Sequence, residues 1–172
     1  MTPFPWTERT FRFDFPVGLF PAILERVRGT PARLEELIAA SPARIRTIKI
    51  NAGWSILEHA GHLLDLEDLH VGRLDDFRFR VPVLRAADMS NKKTFDANHN
   101  ATPAEELLAS FRTSRQHFVQ RLEQLDDDSL TASSLHPRLH VQMRLVDMVY
   151  FVAEHDDHHL AAIRRIAASL RL

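Results

Sequence analysis

Four stretches of this chain repeat apolar residues every three to four positions, and that period leaves little choice of fold. In the first, residues 17–40, Phe20, Ile23, Leu24, Val27, Leu34, Leu37 and Ile38 fall on one stripe. The second runs from Trp54 to Leu74. The third follows Thr102 and carries Leu107, Leu108, Phe111, Phe118, Leu122 and Leu125. The fourth runs from Met143 to Leu170. A stripe of period 3.6 belongs to a helix that hides one face, and little in the chain alternates like a strand. The expectation is an all-α protein, an up-and-down-type four-helix bundle. At 172 residues and 45% hydrophobic it is one domain able to bury a core.

Residues 1–16 stand apart as an aromatic arm, in which Phe11, Phe13 and Phe15 alternate with Arg12 and Asp14. A lone strand cannot make a sheet, so the arm is expected to pack onto a bundle domain spanning residues 17–172. Gly29-Thr30-Pro31 interrupts the first stripe, with Thr30 placed to cap and Pro31 to start a second piece. Residues 75–101 read as a long irregular loop between helices 2 and 3, of the kind that often shapes a site. Thr102-Pro103-Ala104-Glu105 has the form of a capping box. Asp126-Asp127-Asp128 reads as a solvated turn.

Several function classes are excluded. Lys+Arg is 22 against Asp+Glu 23, a net charge of -1, so no bulk positive charge is available for nucleic acid or a membrane surface. No apolar run approaches the ~20 residues that span a bilayer. The first residues lack a basic segment followed by an apolar one, so the expected location is cytoplasmic. Cysteine is absent, which removes disulfides, thiolate ligands and a Cys nucleophile. Glycine numbers five, and no phosphate-cradling motif occurs. The partner left is a small-molecule substrate.

Histidine is the exception, with ten residues, three of them within His155-Asp156-Asp157-His158-His159. His155 and His159 are four apart, so both stack on one face of the last helix, at and inside its apolar stripe. Two imidazoles in an apolar layer each need a polar partner, and a shared metal ion supplies one. A third ligand has to come from elsewhere. Helix 2 offers Glu58-His59-Ala60-Gly61-His62, and periodicity does not choose between His59 and His62. Asp156 points to the apolar side, where it could orient an imidazole from behind; His158 sits at the boundary. A Glu-x-x-His match at Glu67–His70 would suit a di-metal carboxylate site, but its face differs from that of His62.

Gly53-Trp54-Ser55-Ile56-Leu57-Glu58-His59-Ala60-Gly61-His62-Leu63 resembles the helix-2 motif of the DinB/YfiT-like superfamily, a Trp-Ser/Thr pair followed by a ligand histidine eight positions after the Trp. His155-Asp156-Asp157-His158-His159 resembles its last-helix motif. The likeness covers the chain from about residue 17 onward. It implies a four-helix bundle in which His62, His155 and His159 bind one divalent metal ion per chain, and it implies a homodimer. Imidazole suits zinc, nickel, iron and copper alike; zinc or nickel is the expectation, with iron or manganese as alternatives. Members of the superfamily include S-transferases that join low-molecular-weight thiols to electrophiles, a thiol-dependent isomerase, and metal-dependent hydrolases.

Three histidines leave coordination positions open, as a catalytic site requires. The first expectation is thiol S-transfer to small electrophiles, with the thiol supplied from outside. A hydrolase of the same superfamily and a non-catalytic metal-binding stress-response module are the alternatives. Hydrolysis in the H-E-x-x-H manner would need Glu at position 156, where Asp156 stands. Glu58, Asp65 and Arg73 are candidates to face substrate, though surface ion pairing is their commoner role. His59, His70, His99, His117, His136 and His140 read as surface histidines; His99, His136 and His140 are placed to border the site.

Overall fold

Each stripe becomes a helix, and local chemistry decides where it starts and breaks. A computed structural model describes residues 4–170, so the first three residues of the arm and the last two of the bundle domain lie outside it. The first stripe forms α1 (Phe20–Arg28) and α2 (Thr30–Ala39), parted at Gly29. Thr30 does not cap. Its hydroxyl donates to Asp156 Oδ2 at 2.7 Å, with the Arg26 carbonyl 3.2 Å away, so a buried carboxylate takes the group that the break seemed to need. The second stripe starts one residue after Ser55. Ser55 and Glu58 form a reciprocal capping box at the head of α3 (Ile56–Asp65). A break at Leu66 then separates α4 (Glu67–Arg78).

The expected long loop is partly ordered. It contains the end of α4, the short α5 (Lys92–Asp96) and a 3-10 turn at His99–Ala101. The box expected at Thr102 does not form. The Thr102 N–H closes the preceding turn on the His99 carbonyl, Pro103 is extended, and α6 begins at Ala104 and runs to Glu123. The acidic triplet is more than a turn, because the Asp126 side chain accepts from the Ser129 N–H and caps α7 (Asp127–Thr131). A hairpin of β1 (Ser133–Leu135) and β2 (Gln142–Arg144) takes up Met143, and α8 spans Leu145–Ser169. Strands of three residues leave no readable alternation.

The result is the expected all-α four-helix bundle, with a neighbour order its connections explain. The rods α1–α2 and α3–α4 each pack against both α6 and α8. Successive rods therefore need not be side by side; the chain between α2 and α3, residues 40–55, is long enough to cross an end of the bundle.

The core has two apolar halves. One joins α1, α4, the last part of α6, α7, the hairpin and the first part of α8, and Trp6, Phe11, Phe13 and Phe15 of the arm pack onto it. The other joins α2, α3, the first part of α6 and the last part of α8. Between them lies a buried polar layer. Arg115 of α6 donates to Glu67 Oε1 through Nε at 3.0 Å and Nη2 at 2.6 Å, to both oxygens of Asp156, and to the Val27 carbonyl. The helix breaks at Gly29 and Leu66 flank this layer. No helix among the described residues is long and apolar enough to cross a membrane.

Candidate metal centre

The packing of α3 against α8 brings His62, His155 and His159 together. One ring nitrogen from each lies within 4.8 Å of the others, and all three residues are buried. His155 Nε2 and His159 Nε2 are 3.1 Å apart. Metal–nitrogen bonds of about 2 Å place two ligands of one tetrahedral ion about 3.3 Å apart, so this pair already has the right spacing.

For His62 the other ring nitrogen identifies the free lone pair. His62 Nδ1 is 3.0 Å from Thr94 Oγ1, and Thr94 donates in turn to Asp65 Oδ2 at 2.8 Å. His62 is thus the donor at Nδ1 and keeps the Nε2 lone pair. His159 Nδ1 meets His59 Nδ1 at 2.8 Å, which leaves its Nε2 beside His155. Burial, with help from His99 and His158 against Asp65, lowers the His62 pKa to about 4. Burial likewise holds His155 and His159 well below the usual imidazole range. All three are neutral at pH 7, the form that binds metal. The donor set, its spacing and its protonation fit one divalent ion.

Gly61 has a steric reason to be glycine. A Cβ there would stand 2.1 Å from Cγ of His99, whose Nε2 donates to Asp65 at 2.9 Å. His99 and Thr94 together anchor Asp65. Burial opposes the Asp65 charge, but these hydrogen bonds outweigh it and hold its pKa below the ordinary value.

The other expected site residues divide. Arg73 is buried on α4 and lines the cavity beside the triad; its Nε and Nη2 donate to the Arg85 carbonyl. His158 is half-buried on the cavity wall. Asp65 acts on His62 through Thr94 instead of facing substrate. Glu58 is taken by the Ser55 cap and by Lys49 at 2.6 Å. Asp156 orients no imidazole, because Arg115 and Thr30 hold both its oxygens. Glu67, the acid of the Glu-x-x-His match, accepts from Arg115 through Oε1, and its buried Oε2 has no partner among the described residues. His59 bonds a triad member instead of joining the triad. His70, His99 and His136 are buried, contrary to their surface reading, whereas His117 and His140 are exposed. Of the three expected to border the site, His136 and His140 line the cavity, and His99 packs behind α3.

Two contributors escaped the sequence reading. Thr94 carried no signal in a stretch read as loop. Trp6 reaches from the arm to pack T-shaped on His155, with ring centroids 4.9 Å apart. With Trp54, 4.7 Å from His62, it walls a cavity of about 630 Å³ that opens onto the triad.

Residues 24–163 match the DinB superfamily. This chain belongs to the DinB superfamily. The same fold is seen in solved structures. YfiT from Bacillus subtilis, described as a probable metal-dependent hydrolase with an unusual four-helix bundle topology, superposes with a TM-score of 0.76 at 17% identity, over 95% of this chain and 94% of its own. A mycothiol-dependent maleylpyruvate isomerase superposes with a TM-score of 0.68 at 9% identity, over 89% of this chain and 62% of its own. At such identities the likeness shows the fold alone. No curated protein matches by sequence.

Proposed function

We propose that this protein is a divalent-metal-dependent enzyme that transfers the sulfur of a small external thiol to a small electrophile. The observation that carries it is the neutral, buried three-histidine cluster opening onto a largely apolar cavity. A divalent ion held by His62, His155 and His159 would lower the pKa of a bound thiol or water.

What surrounds the triad favours a thiol over water. A metal hydrolase of the H-E-x-x-H kind uses a carboxylate as general base. Here Asp156, Glu58 and Asp65 are all held by other partners, and the acid on the cavity wall, Asp88, is exposed and bonded to Ser90 and the Lys92 N–H. A thiol needs less help to ionise. A neutral histidine on the cavity wall, such as His158, would accept the thiol proton, and the electrophile's leaving group would depart as the carbon–sulfur bond forms. Trp6, Trp54 and Phe151 supply apolar surface for the electrophile and keep water out. The fold shared with the mycothiol-dependent isomerase supports thiol chemistry; the fold shared with YfiT supports a hydrolase as the second reading.

The test is conjugation of cysteine, glutathione and coenzyme A to monochlorobimane, with protein stripped by chelator and then reloaded with zinc or nickel. The proposal expects activity that disappears on stripping and returns on reloading. Equal rates in both forms contradict it, and metal-dependent cleavage of nitrophenyl esters without thiol selects the hydrolase.

A further inference from the structure

The hairpin turn brings a second set of polar groups into the same cavity. Arg138 and His136 reach it from residues 136–140, between β1 and β2, and Arg73 reaches it from α4. None of the three serves the histidine triad, and their polar atoms are incompletely used.

Arg138 makes no ion pair among the described residues. Its Nη1 donates to the Thr7 carbonyl at 3.3 Å, and its buried Nη2 has no partner. Its guanidinium lies 5.7 Å from the Phe151 ring centroid and 6.0 Å from that of Trp6. Arg73 is 2% exposed and also lacks an ion pair, because Arg85 takes both oxygens of the nearby Asp76. His136 is 2% exposed, and its Nδ1 accepts from the Arg138 and Leu139 N–H groups at 3.3 and 3.2 Å. That fixes the tautomer: Nε2 carries the hydrogen, and this buried donor has no partner.

Two buried or half-buried guanidiniums with no ion pair of their own are costly, and a buried donor without an acceptor adds to the cost. Burial, reinforced by Arg138 and Arg85 against Asp76, lowers the Arg73 pKa to about 10, and burial lowers that of Arg138. Both remain cationic at pH 7. Guanidiniums and an imidazole N–H are the usual donors to a carboxylate, and all three groups line one cavity.

We propose that Arg73, Arg138 and the Nε2–H of His136 form a carboxylate-binding subsite in the cavity shared with the histidine triad, and that one reactant carries that carboxylate. The inference rests on the cavity being the substrate site, as in the proposed function. The carboxylate belongs either to the thiol or to the electrophile.

The experiment uses metal-stripped protein, so that the anion cannot bind through the ion. Benzoate, acetate and succinate are titrated and followed by calorimetry and tryptophan fluorescence, with benzamide as the uncharged match to benzoate. Benzoate is expected to bind at least tenfold more tightly than benzamide. Arg138→Gln and Arg73→Gln should each weaken benzoate about tenfold and leave benzamide unchanged, whereas His159→Ala should leave benzoate binding intact. Arg138 is half-buried in a turn, so its variant carries the test if Arg73→Gln does not fold. Equal binding of benzoate and benzamide, no saturable binding of any of the three carboxylates, or insensitivity to Arg138→Gln overturns the proposal. Benzoate binding by a protein that fails the conjugation assay would sustain the subsite while the proposed reaction falls. Comparing cysteine with cysteamine in the metal-loaded conjugation assay assigns the carboxylate to the thiol if cysteamine shows a raised KM, and to the electrophile if the two are alike.

Discussion

Gly61 sits where a single methyl group would reach the chemistry of the site. Its missing Cβ leaves room for the His99 ring, which holds Asp65, which through Thr94 sets the orientation of His62. Gly61→Ala should cost about 1–3 kcal/mol by overpacking, read by urea denaturation. It should also weaken metal affinity more than a comparable core substitution away from α3. A stable variant with unchanged affinity would separate His99 from the site. His136 gives a prediction in pH. Burial, with Arg73 and Arg138 nearby, lowers its folded pKa to about 3, while the unfolded chain titrates near 6.5. Its contribution is complete above about pH 6.5 and is lost as pH falls toward 3, because the unfolded state takes the proton first. Asn at this position can accept the same two turn N–H groups without titrating. His136→Asn should therefore flatten the fall in Tm with pH over that window by one proton's worth, and an unchanged slope would contradict the assignment. Among single residues, the last-helix pair His155 and His159 was legible from spacing alone. Asp156 was misread because a helical face tells where a side chain points but not which partner waits there, whereas Glu58 takes the ion pairing that was its commoner expected role.

At the scale of elements, the helices were written in their stripes, and the head of α3 was written in Ser55 and Glu58. Ser55→Ala removes the cap and a hydrogen bond to Asn100 Oδ1, and should cost about 1 kcal/mol in chemical denaturation. No loss would mean that the cap is dispensable to α3. The break at Leu66 carries neither glycine nor proline, so nothing local announces it; the next residue, Glu67, joins the buried layer. The hairpin and α5 escaped for the opposite reason, being too short for a period to develop. They are also the elements that finish the site. The hairpin delivers His136 and Arg138, and α5 delivers Thr94.

The whole molecule is organised around a polar layer inside an apolar bundle. Arg115 is the hub, joining α6 to α8 through Asp156, to α4 through Glu67 and to α1 through the Val27 carbonyl. Arg115→Ala would leave two carboxylates buried without their cation. It should destabilise the protein by about 3–5 kcal/mol, and a loss below about 1 kcal/mol would show the layer to be incidental. The histidine triad lies across the two rods, α3 and α8, that this layer helps to hold in register. The central claim is that His62, His155 and His159 hold one divalent ion, and elemental analysis of the purified protein beside His159→Ala tests it most directly. The account predicts about one ion per chain in the wild type and near none in the variant, with both folded by circular dichroism. A wild type that stays metal-free after incubation with zinc or nickel, or a variant that keeps its ion, would contradict it.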